Sequence, residues 1–445
     1  MQLDLHSCIF IPQATGIDHG QAHSGARTAL HPTPQACGVS RGQASVNGRL
    51  HRALSRSTQV ASGLGCALLT GSLACSHSPT PIQVSQSGAG AYEAALATDE
   101  TGFAVAWYDV RDGNAEIYMR LLDEHGRPTG PPRRLTATPD ASYEPSIERL
   151  ADTFVVAWYE QAAEKQRTAM LGAWDRDGER KWVQAIPGSR NPVTRTFAHG
   201  IVAAWIQAEA DGSENVWVGW WDRDGHERRS RSLVGAASKT TWNLNLALDG
   251  SDAWVVFDAA VSTRASELFI GRAGESSGAG LVRLTRDDGV DSKYPDLKLS
   301  ATGRFALTWY DMRDGNAEVY LVVGDRADPG EIDGRAHRVT RTVGESIGAY
   351  LAWNGERVGL AWSDETAGAH EVFFQSFNGS GSPVASAERL TWSETWSLVP
   401  AIQPWRKGFA LAWTEYRHAS SQVHDGTGEV AFTLVVEPKL QPSSE

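Results

Sequence analysis

Small and β-branched residues running into an aromatic ring form a phrase that this chain repeats seven times. It reads FAVAWYD at Trp107, FVVAWYE at Trp158, IVAAWIQ at Trp205, WVVFDA at Phe257, FALTWYD at Trp309, VGLAWSD at Trp362 and FALAWTE at Trp413. The rings follow one another at intervals of 51, 47, 52, 52, 53 and 51 residues. A short apolar run closed by an aromatic predicts a strand buried on both faces. The segment after each phrase alternates, as in AEIYMRLLD, TAMLGAWD, NVWVGWWD and AEVYLVV. Alternation of that kind predicts a second strand with two differently packed faces. Trp107 to Tyr118, WYDVRDGNAEIY, returns at Trp309 to Tyr320 as WYDMRDGNAEVY, identical at ten of twelve positions. Its Asp-Gly pair predicts a two-residue hairpin turn between the strands.

Each period of about fifty residues supplies four strands, here lettered A to D. Strand A is expected to start near Ala94, Pro145, Pro192, Leu244, Pro295, Ala349 and Pro400. Strand B carries the aromatic, and strand C follows the hairpin. A turn with Asp and Gly comes next (DEHG at Asp123, DRDG at Asp175 and Asp222), and strand D is the brief RLT or RVT at Arg134, Arg283, Arg338 and Arg389. Four strands per period with no helical segment predict an all-β fold, a seven-bladed β-propeller. The seventh unit runs out at Pro438 after strand C, and PIQVSQS at Pro81 has the character of the missing strand D. The ring is therefore expected to close through an N-terminal outer strand, which removes exposed sheet edges.

The phrases WYDMRDGNAEVY and RLTATPDASYEPSI resemble the propeller repeats of the TolB family, periplasmic proteins of the bacterial Tol system. The resemblance covers Tyr92 to Pro438, closely in two units and loosely in five. It implies the blade architecture and an envelope location. TolB proteins have six blades and an additional α/β domain, whereas this chain shows seven units and no such domain. Their partners therefore do not carry over, and no catalytic residue comes with the resemblance.

Composition changes this picture mainly at the N-terminus. All four cysteines (Cys8, Cys37, Cys66, Cys75) lie in the first 75 residues, so thiolate zinc sites, disulfides and thiol nucleophiles are excluded from the rest. Residues 1–45 carry no core-forming pattern and read as an upstream extension of the reading frame. Residues 46–75 read as a signal peptide: a basic segment at Arg49–Arg56, an apolar run too short to span a membrane, then Cys75. The end, LTGSLAC, resembles a bacterial lipoprotein signal with Cys75 as the lipidated residue, although Ser72 stands where such signals favour leucine. An ordinary cleaved signal with an incidental cysteine is the alternative. The expected organisation is a leader over 1–75, a propeller over 76–438 and a disordered tail over 439–445. Beyond residue 75 the chain holds 36 basic and 51 acidic residues, net −15, without a basic stripe, which disfavours nucleic acid.

Candidate chemistry is thinner. The hairpin acids Asp109, Asp112, Asp311 and Asp314 could hold calcium through their oxygens. They lack EF-hand spacing, and they serve equally as a fixed turn paired with Arg111 and Arg313. No HExxH spacing, nucleophile elbow or repeated sialidase box is present, and no cofactor is expected. What remains is a binding face. In a propeller the D-to-A and B-to-C loops share one face around the central channel. That face would carry Glu93, Tyr143, Glu144, Asn191, Trp242, Asn243 and Tyr294, with Trp392, Glu394 and Trp396 in the loop TWSETWS. Rings beside acids and amides suit a glycan, a peptide or an envelope protein; the same rings could equally pack between blades. The reading is a non-enzymatic envelope binding protein, attached to the membrane by lipid alone. A glycan-cleaving enzyme is the alternative, to be recognised by two carboxylates converging in the channel mouth, and a purely structural envelope protein is the third.

Overall fold

The computed structural model describes residues 80–162, 166–210, 212–238, 241–261, 265–274, 279–417 and 427–436. The expected leader, with Cys75, and the tail over 439–445 lie outside the described residues. Seven four-stranded antiparallel sheets form the ring of a seven-bladed β-propeller, with no helix among the described residues. In the first blade strands A to D are Ala91–Asp99, Gly102–Asp109, Glu116–Asp123 and Arg133–Arg134. Each strand A packs against the strand A of the next blade, and the seventh packs against the first.

The repeated ring of strand B is buried in all seven blades. It lies opposite a strand C residue, which is aromatic in five blades: Tyr118, Trp217, Phe269, Tyr320 and Phe373. Ring centroids in these pairs are 5.6–6.4 Å apart. The apolar clusters sit between blades. One joins Phe103, Val105 and Trp107 of the first blade to Ala410, Ala412 and Phe432 of the seventh. A single unit cannot cover such a face by itself, so the stability of each blade depends on its neighbours.

A carboxylate fastens the short outer strands. Glu116, at the head of strand C, is fully buried and accepts bonds from Arg134 (2.9 Å), Thr136 Oγ1 (2.5 Å) and the Thr138 N–H (3.1 Å). Glu318 has Arg338 and Thr340 in the same places, and Glu371 has Arg389 and Thr391. The RLT phrase is thus a carboxylate clasp, with the threonine hydroxyl also accepting the next strand C N–H. In the fourth blade Arg283 is exposed. Glu267 keeps Thr285 but has one oxygen without a partner, and burial pushes its carboxyl up to about 7.

The N-terminal segment completes the last blade. Ile82 and Gln83 pair with Phe432 and Ala431 of strand C, Thr427–Val436. Val84 donates its N–H to Val430 at 2.8 Å, as Leu135 does to Ile117. Ser85 replaces the clasp threonine: its hydroxyl donates to Glu429 and accepts the Val430 N–H.

Two local expectations need correction. The Asp-Gly pair does not form a two-residue hairpin. Residues 110–115 separate the strands, and Gly113 alone takes a positive φ of 95° in a turn closed from Gly113 to Val110. The loop is widened because Asp109 captures the Arg111 N–H, and Asn114 reaches out to the carbonyls of Thr138 and Asp140. Strand A, moreover, begins before the expected residue in every blade, at Ala91 and not Ala94 in the first. The residue taken as its start lies at a β-bulge that interrupts the pairing, as Ala94 does between Tyr92 and Ala95 and Leu244 does at the end of its own bulge.

A ring beginning at Ala89 loses Val84 from the core, worth about 1.5–3 kcal/mol, and leaves Glu429 buried without Ser85. Its thermal midpoint by circular dichroism should fall several degrees below that of a ring beginning at Ser76. Equal midpoints would show that the N-terminal strand does not hold the ring closed.

Candidate functional site

The bulges set the channel mouth. In five blades the bulged residue takes the left-handed conformation without being glycine: Glu93 (φ 54°), Glu144 (50°), Asn191 (49°), Tyr294 (55°) and Val399 (54°). Gly348 does so at 59° in the sixth blade, and Asn243 occupies the equivalent bulge in the fourth. Such conformations cost about 1–3 kcal/mol each and need support. Thr414 Oγ1 accepts the Glu93 N–H at 3.0 Å. Asp258 accepts the Tyr294 and Asn243 N–H groups at 2.9 and 3.2 Å. The charges of Glu93 and Glu144 act on Tyr294 and on Tyr350, three to five blades away along the chain, so these positions converge on one space.

Tyrosines pack around that space, Tyr92, Tyr108, Tyr143 and Tyr159 buried and Tyr294, Tyr310 and Tyr416 half-buried. Tyr416, Tyr92, Tyr108, Tyr143 and Tyr159 form a chain with centroid separations of 5.8, 5.2, 5.2 and 5.6 Å, and Tyr294 stacks on Tyr310 at 5.5 Å. Burial raises the phenol of each above its ordinary range, so all remain neutral donors.

The two carboxyls differ. Glu144 Oε2 accepts from Asn191 Nδ2 at 3.0 Å, and Oε1 accepts from the Tyr159 hydroxyl at 3.5 Å. Burial raises Glu144, while Arg167, Arg190 and the Tyr159 bond pull it back. Glu93 has no such help: its Oε2 is buried without a hydrogen-bond partner. Burial first, and then the neighbouring Glu144 charge, push the Glu93 carboxyl well above its usual range. Of the pair, Glu144 alone has donors and cations that oppose this rise. Further along strand A, roughly 13 Å at 3.3 Å per residue, Glu148 pairs with Arg195 at 3.1 Å and Lys298 with Asp296 at 2.6 Å. A groove of about 460 Å³ runs beside the mouth, lined by Arg167, Ser189, Arg190 and Glu214 among others. Arg190 is held there by a two-pronged bond to Glu214.

Of the expected face, Glu93, Tyr143, Glu144, Asn191, Asn243 and Tyr294 come together at the mouth. The side chain of Trp242 lies outside the described residues. Trp392 is 62% exposed and borders a different groove toward the outer strands, with Gln83, Arg417 and Ala431. Glu394 is exposed, and Trp396 is half-buried edge-on to His370 at 5.2 Å. The hairpin acids are engaged as a turn: Asp109 by Arg111 and Trp107, Asp311 by Arg313 and Trp309. Asp112 and Asp314 meet Arg134 and Arg338 at 3.2 and 2.9 Å. Asp222, Asp224 and His226 have metal-ligand spacing in an exposed turn, where Asp222 already accepts the other two N–H groups. Sequence reasoning missed Tyr108, Tyr159 and Tyr310, although each directly follows the tryptophan of its strand B phrase. Arg167 and Arg190 carried no signal.

Because Glu93 is raised on folding, the native state binds the extra proton between the unfolded value, about 4.3, and the raised one. Stability contributed by the neutral form is therefore lost as pH rises through that window. Thermal melts from pH 4 to 8 should show this decline in the wild type and a shallower one in Glu93→Gln, which cannot ionise. Parallel curves would contradict the assignment.

No protein-family model matches the chain, and no curated protein sequence matches it. Among solved structures, a Dyadobacter fermentans protein of unknown function is 10% identical with a TM-score of 0.48, over 80% of this chain and 97% of that one. A Penicillium chrysogenum α-L-arabinanase complexed with arabinobiose is 11% identical, TM-score 0.46, over 65% of this chain and 92% of its own. A Fusarium graminearum α-L-arabinofuranosidase is 12% identical, TM-score 0.45, over 64% and 91%. Nothing about the activity of this chain follows from these likenesses.

Proposed function

We propose that the protein is a binding protein of the cell envelope that takes a glycan in its channel mouth. The observation that carries this reading is the Glu93 carboxyl, with one buried oxygen lacking a partner beside Glu144, Asn191 and a wall of tyrosines. A carboxyl and an amide suit the paired hydroxyls of a sugar ring, whose C–H face fits the half-buried rings of Tyr294 and Tyr310. The groove past Arg190 offers room for further sugar units. The TolB-like phrases and the leader support an envelope location with Cys75 as a lipid anchor. Intact mass of the mature protein tests the anchor: an unmodified N-terminus would remove it.

A microarray of bacterial, plant and fungal oligosaccharides, followed by calorimetry on the hits, tests the site. Asn191→Ala removes the amide that holds Glu144 and faces the sugar, and Val399→Trp fills the mouth. Each should weaken binding at least about tenfold while the ring stays folded by circular dichroism, and Trp392→Ala should bind as the wild type. Loss with Trp392→Ala alone would move the site to the outer groove.

A further inference from the structure

We propose that the mouth hydrolyses the glycan it holds, with Glu93 giving a proton to the glycosidic oxygen and Glu144 as its ionised partner. This rests on the glycan-binding reading above. The two residues occupy the same bulge position in adjacent blades, so their carboxyls enter the mouth side by side. Their surroundings then separate their roles. Both Glu144 oxygens are held by donors from its own blade and the next, Tyr159 and Asn191, which fixes its orientation and favours its charge. Glu93 is fixed at its backbone by Thr414, and no protein donor holds its enclosed Oε2. A neutral acid beside a positioned carboxylate is the arrangement that glycosidic cleavage requires. The burial that raises the Glu93 carboxyl favours its protonated, proton-giving form.

The step balances without a redox partner. The bond from the anomeric carbon to the bridging oxygen breaks, and that oxygen takes the Glu93 proton and leaves as an alcohol. The oxygen of a water molecule ends on the anomeric carbon, on the side that Glu144 serves. The proton lost by that water restores the carboxyl pair to one proton.

The test uses the mature ring and an oligosaccharide that the microarray shows it to bind, with the 4-nitrophenyl glycoside of the same terminal sugar. Product release is followed by mass spectrometry and absorbance. The wild type should cleave both, with a bell-shaped pH profile whose upper limb belongs to Glu93. Glu144→Gln should lose at least about a hundredfold on both substrates. Glu93→Gln should lose about 10²–10⁴-fold on the oligosaccharide yet far less on the nitrophenyl glycoside, whose leaving group needs no proton. A merely structural Glu93 would not produce that split, so equal losses on both substrates would overturn its role. A wild type that binds the oligosaccharide and leaves it intact would overturn hydrolysis and spare the binding reading. Absence of any binding would remove both.

Discussion

The ring depends on how two-residue outer strands are held. A pair of ladder residues cannot sustain a sheet edge, and the buried glutamate at the head of strand C makes up the difference. Where Glu116, Glu318 and Glu371 meet Arg-x-Thr, strand D stops after two residues. Where Thr168 and Asn215 stand in place of that glutamate, strand D runs much longer, over Arg180–Ile186 and Glu227–Ser238. The fourth blade lies between these cases, with Glu267 held by Thr285, Arg283 exposed and a strand over Ala279–Arg283. Clasp and ladder length substitute for one another. Closure of the whole ring uses the same device, with Ser85 taking the part of the threonine on Glu429.

Once the ring is closed, the seven inner strands present equivalent bulges to one axis, and the residue at each bulge is free of the blade core. Those positions differ most between blades: two glutamates, two asparagines, a tyrosine, a glycine and a valine. The polar residues follow one another through blades one to five, while Gly348 and Val399 leave the remaining side small. A repeat that is uniform in its strands is thereby one-sided at its mouth. The strand B residues behind the bulges, Tyr108, Tyr159, Asp258, Tyr310 and Thr414, decide how each is supported and how its charge behaves.

Most of the fold was legible because it is written seven times. The spacing of the strand B aromatics and the RLT phrases located strands, blades and the closing segment, since burial and the clasp demand the same residue types in each unit. The mouth was only partly legible for the opposite reason: its positions are not under a common demand. Glu93, Glu144, Asn191 and Tyr294 were expected together from their place just ahead of the expected start of strand A, and they lie in its bulge. That Glu93 lacks a partner while Glu144 has two depends on contacts between blades, which no local pattern records. The paired tryptophans of TWSETWS drew attention by their chemistry, yet Trp392 faces the outer strands and Trp396 rests on His370. The hairpin turn misled because Asp-Gly commonly closes two residues, and here Asp109 and Asn114 hold a wider loop open.

The proposed chemistry of the mouth requires two neighbouring carboxyls to hold different protonation states. Carbon-13 NMR of glutamate side-chain carboxyls, followed across pH and assigned with Glu93→Gln and Glu144→Gln, measures this. The Glu93 resonance should titrate well above the ordinary carboxylate range and above Glu144, and replacing Glu144 should bring it downward. Titration of both resonances together within the ordinary range would rule the proposed division of roles out.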